Sequence, residues 1–143
     1  MSRDTAERPS ISLEFFPPKT PKASQGLWES VQRLAPLAPE FVSVTYGAGG
    51  TTRDRTMNAI LAIRDRAGLD VAGHLTCVGA SKAEVLKVAR SYAKLGCRRI
   101  VALRGDPPEG EGRFTPHPDG FSGSVELVSA LTGMGGFEIW VGA

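Results

Sequence analysis

Residues 71–78 have the sequence Val-Ala-Gly-His-Leu-Thr-Cys-Val, a largely apolar and β-branched run that is typical of a buried β-strand. Four similar runs occur in the chain, and the five begin 30, 30, 28 and 38 residues apart: Ile11–Phe16, Phe41–Tyr46, Val71–Val78, Arg99–Leu103 and Phe137–Val141. This spacing is typical of repeated strand, crossover and strand units. Strands that are apolar on both faces belong in a parallel sheet, which is either doubly wound or closed into a barrel.

Between the strands, apolar residues recur at helical spacing, which predicts a helix in each crossover. The first helix is expected to begin near Ser24–Leu27, after a proline, and to end before Pro36. The second is expected to begin after Thr51 or Thr52 and to end by Gly68.

The third helix has the clearest boundaries. Ser81 and Glu84 form a capping box, and Gly96 stands where a left-handed residue ends a helix. Residues 104–123 are rich in glycine and proline and show no periodicity. A loop of this length is usually functional or disordered.

Polar residues stand within or just after the carboxyl-terminal halves of the first four predicted strands: Glu14, Thr45, His74, Thr76 and the turn Arg104–Asp106. Because these ends meet at one edge of a parallel sheet, we expect the polar side chains to lie together there. A TIM barrel builds its active site at this edge. An open sheet also binds ligands at its carboxyl edge, so both architectures remain possible.

Composition excludes several classes of partner. The 143 residues carry 17 basic and 15 acidic side chains, and a net charge of +2 gives no basic stripe for nucleic acid. No stretch has the length and hydropathy of a signal peptide or a membrane helix, which favours a cytoplasmic protein. Two cysteines and two histidines, far apart in sequence, predict reduced thiols and no metal site.

Each candidate site residue has more than one interpretation. Glu14 lies in an apolar strand, and a buried carboxylate there is either paired with an arginine or used as a general acid/base. His74 is either a core histidine or a site residue. Arg104 and Asp106 form either a surface turn with a local ion pair or part of a site. The turn Gly47–Thr52 either binds an anion at a helix start or only connects strand to helix.

Five segments taken together resemble methylenetetrahydrofolate reductase, in the order and near the spacing of that family: Leu13–Thr20, Phe41–Ala48, Arg53–Thr56, His74–Cys77 and Ile100–Asp106. The resemblance runs from Ser10 to the last residue. It implies an α/β protein with a TIM (β/α)8 barrel. It also implies an enzyme that takes a hydride from NADH or NADPH onto FAD and passes it to methylenetetrahydrofolate, in one-carbon metabolism and methionine supply.

The resemblance also implies roles for individual residues. Glu14 matches the general acid that protonates the folate, so that its five-membered ring opens to an iminium ion. Asp106 matches a carboxylate beside flavin and pterin, where a negative charge stabilises that cation. The matched flavin-contacting positions are Thr45, Tyr46, Ala48, His74, Arg104, Gly105 and Asp106, with Thr45 also near the nicotinamide.

The chain departs from the family in two places. Gly123 and Ser124 stand where members commonly carry Tyr-Ala or a similar pair, and the sequence stops where the family continues into three further β/α units. We therefore expect residues 1–9 to be a disordered tail and residues 10–143 to be a partial barrel, truncated after about five strands.

The expected function is that of an N-terminal fragment of such an enzyme. A fragment of this kind is expected to self-associate and to retain little FAD. The alternative is a non-catalytic half-barrel that serves as a remnant or as a flavin-binding or assembly module. The family further implies a homo-oligomer with a small-molecule substrate and with no nucleic-acid or membrane partner.

Overall fold

The computed structural model describes residues 8–46, 50–107 and 109–142, in which strands and helices alternate. Part of the predicted tail, residues 1–7, and the candidate residue Ala48 lie outside this description. In chain order the elements are β1 (Ser12–Phe15), α1 (Pro21–Leu34), a short 3-10 helix (Ala35–Leu37), β2 (Phe41–Val44), α2 (Gly50–Ala67), β3 (Val71–Thr76), α3 (Lys82–Lys94), β4 (Arg99–Leu103), α4 (Ser124–Met134) and β5 (Glu138–Val141). All five predicted strands are confirmed.

The five strands form one parallel sheet in the sequential order β1-β2-β3-β4-β5. Parallel crossovers are right-handed, so a sequential order places all the helices on the same face. The core agrees, because one buried residue from each helix, Val31, Ile60, Val88 and Leu127, belongs to a single apolar cluster with the strands. The predicted parallel α/β sheet is therefore confirmed.

The other face of the sheet carries polar and aromatic side chains. At its amino-terminal end the Arg99 guanidinium lies 3.3 Å from a carboxylate oxygen of Asp70 and 3.0 Å from one of Glu138. The same guanidinium lies 4.7 Å from the ring centroid of Phe41, which in turn packs against Trp140. These contacts partly cover the amino-terminal end of this face and leave its carboxyl-terminal end uncovered.

The boundaries of α3 confirm the prediction from its caps. The Ser81 hydroxyl accepts a hydrogen bond from the Glu84 backbone N–H, and the Glu84 carboxylate accepts one from the Ser81 N–H. Gly96 follows the helix with φ of 79°, a conformation that glycine adopts without strain. Local capping signals thus mark both ends of this helix, which also buries Val85, Val88, Ala89 and Tyr92.

The predicted start of α1 near Ser24–Leu27 is wrong, because the helix begins at Pro21. Proline suits the first position of a helix, where its missing N–H would have no intrahelical partner. The Thr20 hydroxyl caps the helix by accepting a hydrogen bond from the Ala23 N–H at 3.1 Å. The second helix also begins earlier than expected, at Gly50.

Two further predictions, that residues 104–123 form a loop and that the cysteines are reduced, are confirmed for the described residues. Residues 104–107 and 109–123 contain no helix or strand, as predicted, and both cysteines are buried free thiols. Within the described part of the chain, no helix has both the length and the hydropathy needed to span a membrane.

Replacing Gly73 in the middle of β3 is expected to destabilise the fold. A Cβ at this position would lie 2.7–2.9 Å from the ring of Tyr92, which is fully buried in α3. We expect Gly73→Ala to cost about 1–3 kcal/mol in the free energy of unfolding, as overpacking does. Urea denaturation measures this cost as a lower midpoint.

Gly26→Ala is the matched control, because a Cβ there meets nothing within 4 Å in the exposed helix α1. This variant should gain about 0.5–1 kcal/mol from helix propensity. Equal midpoints for the two variants would contradict the described packing of α3 on β3.

Candidate functional site

A cavity of about 390 Å³ opens at the carboxyl-terminal ends of β1 to β4. Its lining consists of Glu14, Thr45, Tyr46, His74, Thr76, Val78, Leu103, Gly105 and Asp106. Six of the eight predicted site residues therefore lie around one cavity. Of the other two, Arg104 lines a neighbouring cavity, and Ala48 is outside the described residues. The expected concentration of polar side chains at this edge of the sheet is confirmed.

The expectation that Glu14 is buried is wrong. Its side chain is 54% exposed, because it extends from the edge strand β1 on the face that the helices do not cover. Its backbone pairs with Ser43 of β2, and its Oε2 atom lies 3.5 Å from Nε2 of His74. A carboxylate with this exposure requires no arginine partner and can reach a bound molecule.

His74 is buried beneath Glu14, with only 7% of its side chain exposed. Its Nε2 atom is hydrogen-bonded to the Ser43 hydroxyl at 3.1 Å. Burial lowers the pKa of His74 and outweighs the opposing effect of the Glu14 carboxylate. The imidazole is therefore neutral near pH 7 and serves as a hydrogen-bonding group.

The backbone at His74 is held from the opposite face of the sheet. The Tyr92 hydroxyl donates a 2.7 Å hydrogen bond to the His74 carbonyl oxygen, and its ring packs on Gly73. Burial raises the pKa of Tyr92, so the phenol keeps its proton and remains a donor. The hydrogen bond from Tyr92 of α3 thus fixes the backbone position of His74 in the site.

Sequence analysis did not single out Ser43. Its side chain is buried on the same face as Glu14 and bonds to His74 across the sheet. The available signal was one hydroxyl within the otherwise apolar strand β2, two residues before Thr45. That signal does not name the partner, since the partner depends on the register between strands.

A buried hydroxyl fixes the backbone at Thr45 and Tyr46. The Thr56 Oγ1 atom lies 2.8 Å from the Thr45 carbonyl oxygen and 3.0 Å from that of Thr52. The Thr45 N–H donates to the carbonyl oxygen of Phe15 at 3.0 Å, which joins this turn to β1. Partial burial raises the pKa of Tyr46, so its hydroxyl is a neutral donor at the cavity.

Gly105 permits the turn that brings Asp106 to the cavity. It has φ of 88°, and a Cβ there would lie 2.4 Å from a Val78 methyl group. Any other residue would therefore be strained and would collide with its neighbour. The following carboxylate, Asp106, is exposed and lines both this cavity and the next one.

Arg104 lies on the far side of the same turn. It lines a cavity of about 560 Å³ together with Ser124, and this cavity shares Leu103, Gly105 and Asp106 with the first. The guanidinium carbon lies 4.9 Å from the ring centroid of Phe114 in the long loop. The two adjoining cavities can accept one elongated ligand. The Arg104 guanidinium of the protein would lie at one end of that ligand.

The long loop at residues 104–123 is hydrogen-bonded to the helices on either side of it, α3 and α4. The Lys82 N–H donates to the Asp119 carbonyl oxygen at 2.8 Å, and the Ser122 N–H donates to the Glu126 carboxylate at 2.7 Å. Lys82 and Glu126 also form an ion pair, and Phe121 is buried. These contacts fix the carboxyl-terminal half of the loop near the second cavity.

His74→Asn is expected to make the free energy of unfolding depend less on pH between about pH 7 and pH 5. Below the unfolded-state pKa of about 6.5 the unfolded chain binds a proton that the folded protein does not. Stability is therefore full above that value, and is lost as pH falls toward the lower pKa of folded His74. Urea denaturation between about pH 7 and pH 5 measures this loss. An unchanged slope in His74→Asn would contradict a neutral His74.

Known proteins are similar to this chain in sequence. A family model described as methylenetetrahydrofolate reductase matches residues 1–143. The 5,10-methylenetetrahydrofolate reductases of Pectobacterium carotovorum and Escherichia coli K12 are 46% identical over 136 residues and 47% identical over 134 residues. These alignments cover 95% and 94% of this chain, and 44% and 43% of the two relatives.

A plant protein, methylenetetrahydrofolate reductase (NADH) 1 of Zea mays, is 32% identical over 124 residues, which are 87% of this chain and 21% of that protein. The chain thus spans less than half the length of these relatives. The match of the family model over the whole chain, together with identities near 46% to bacterial enzymes, shows that the chain belongs to the methylenetetrahydrofolate reductase family.

Proposed function

We propose that this protein reduces methylenetetrahydrofolate to methyltetrahydrofolate, with FAD as the bound cofactor and NADH or NADPH as the hydride donor. The observation that carries the proposal is that two carboxylates, Glu14 and Asp106, line one cavity at the carboxyl edge of a parallel sheet. Such an edge is where α/β folds bind their ligands. Family membership supplies the reaction, and the retention of both carboxylates favours an enzyme over a non-catalytic remnant.

We propose that the sheet is part of a TIM (β/α)8 barrel. Sequential parallel order and helices on one face are features of such a barrel, whereas a doubly wound sheet reverses its strand order and has helices on both faces. The cytoplasmic location and the homo-oligomeric state expected from the family belong to the same proposal.

The residues around the two adjoining cavities fit FAD. The first cavity, at about 390 Å³, offers Thr45, Tyr46 and His74 as hydrogen-bonding groups beside the apolar Val78 and Leu103. The second extends past Gly105 and Asp106 to Arg104, whose guanidinium suits a pyrophosphate. The predicted flavin-contacting residues are thus grouped around an elongated space, with Ala48 remaining a prediction. When bound, the flavin accepts a hydride from the nicotinamide and passes it to the folate carbon.

Glu14 is proposed as the proton donor to the folate. Its carboxyl proton moves to a ring nitrogen, the bond between that nitrogen and the methylene carbon breaks, and the remaining iminium cation is ready to accept hydride. The half-exposed carboxyl group supports this role, because it faces the cavity with space for a substrate beside it. The neutral His74 beneath it adds no positive charge beside the developing cation.

Asp106 is proposed to stabilise the iminium cation. A carboxylate fixed close to a developing positive charge lowers the energy of the transition state without reorganisation during the reaction. Gly105 supports this role, since its positive φ directs the chain so that Asp106 lines the same cavity as Glu14.

In a complete version of the chain, Glu14→Gln is expected to leave reduction of the flavin by NAD(P)H nearly unchanged. It should slow reduction of the folate by about 10²- to 10⁴-fold, the usual contribution of a general acid. Only the second half-reaction needs a proton donor, so stopped-flow measurement of both half-reactions on flavin-loaded protein separates the two effects. Glu29→Gln on the exposed side of α1 is the control. Equal losses in both half-reactions would remove Glu14 from the acid role.

Asp106→Asn is expected to raise the flavin reduction potential and to slow folate reduction by about 10²- to 10³-fold. Without the negative charge of Asp106, the flavin gains electrons more readily. The iminium cation of the substrate becomes less stable. Potentiometric titration and stopped-flow kinetics measure the two effects, with Asp119→Asn in the same loop as control. If the potential and the folate kinetics both stay at wild-type values, Asp106 is only a turn residue.

A further inference from the structure

Three side chains from neighbouring strands form a continuous row beneath the cavity. The Glu14 Oε2 atom lies 3.5 Å from the His74 Nε2 atom, which lies 3.1 Å from the Ser43 Oγ atom. Ser43 and His74 are 6% and 5% exposed, so this part of the row is shielded from water. A single ring nitrogen therefore faces two oxygen atoms, one of a hydroxyl and one of a carboxyl group.

The protonation of that nitrogen follows from its surroundings. If Nε2 carried a lone pair, that lone pair would face the carboxylate of Glu14, which is unfavourable at 3.5 Å. If Nε2 carries the proton, the N–H donates to Ser43 Oγ, and the Glu14 carboxylate lies near a hydrogen atom and not near a lone pair. Burial lowers the pKa of His74, so the ring has one proton to place. The Nε2–H tautomer satisfies both neighbours.

The positions of these groups are fixed by the fold. Ser43 is paired in register with Glu14, and Tyr92 holds the His74 carbonyl oxygen at 2.7 Å from the other face. Among the described residues, Glu14 is the one charged group within 4 Å of the His74 ring nitrogens. Movement of the ring away from Glu14 would leave the buried Ser43 hydrogen bond unmade.

We propose that Ser43 is a positioning residue that holds the His74 ring with its Nε2–H beside Glu14, and that His74 thereby determines which oxygen of Glu14 carries the catalytic proton. The Nε2–H group of His74 lies 3.5 Å from Oε2, which leaves less room for a hydrogen atom on that oxygen, so the proton of the Glu14 carboxyl group resides on Oε1. In the opposite tautomer, Nε2 would accept the Glu14 proton and withhold it from the substrate. This role rests on the proposed function of Glu14 as the acid, whereas the tautomer itself does not.

The tautomer is measured by nitrogen-15 NMR of the histidine rings at neutral pH, in the wild type and in Ser43→Ala. We expect the wild-type Nε2 of His74 to resonate as a protonated nitrogen and Nδ1 as an unprotonated one. In Ser43→Ala the same tautomer is expected because Glu14 remains, and the ring signals of His74 should broaden because the ring loses its hydroxyl partner. A wild-type Nε2 without a proton overturns the proposal whatever the protein catalyses.

The kinetic consequence is measured on a flavin-loaded, complete version of the chain. Ser43→Ala should slow the folate half-reaction by about five- to tenfold, the factor that corresponds to one neutral hydrogen bond, with flavin reduction unchanged. Ser43→Thr keeps the hydroxyl and should restore the rate. Ser12→Ala, on the same face of β1, is the control. Equal slowing of both half-reactions, or no rescue by threonine, overturns the proposal, whereas a wild type that reduces no folate refutes the proposed function and leaves the NMR result standing.

Discussion

The right-handed crossover between successive parallel strands is the constraint on which this structure depends. Because the five strands pair in sequential order, every crossover turns the same way and every helix lies on one face. The other face is therefore left for polar and aromatic side chains, and the carboxyl ends of β1 to β4 meet around one cavity. Residues up to about 90 positions apart, such as Glu14 and Asp106, reach the same space for this reason.

The polar side chains of the site are neutral where they are buried and charged where they are exposed. His74, Ser43 and the Tyr92 hydroxyl lie in the sheet and its core, where burial keeps ionisable groups uncharged. The two carboxylates, Glu14 and Asp106, lie at the exposed edge, where water and a ligand can reach them. The neutral layer fixes geometry at little electrostatic cost, and the charged layer supplies the chemistry.

Much of this arrangement could be predicted from the sequence, because it depends on local signals. Strand periodicity gave all five strands, and the Ser81–Glu84 capping box delimited α3. The predicted start of α1 is too late, since it places the helix after Pro21, whereas proline is the first helical residue. The exposure of Glu14 and the bond from Ser43 to His74 depend on sheet order and register, which the residues of a single strand do not determine.

The central proposal is that the residues around the cavity between Glu14 and Asp106 bind FAD and a folate, so that hydride passes from a nicotinamide through FAD to the folate. Double-mixing stopped-flow tests it most directly: a flavin-loaded, complete version of the chain is reduced anaerobically with NADH or NADPH and then mixed with methylenetetrahydrofolate. The account predicts that the flavin is reoxidised and that one methyltetrahydrofolate forms for each flavin. A flavin that is reduced but not reoxidised by the folate, or reoxidation without methyltetrahydrofolate, would contradict it.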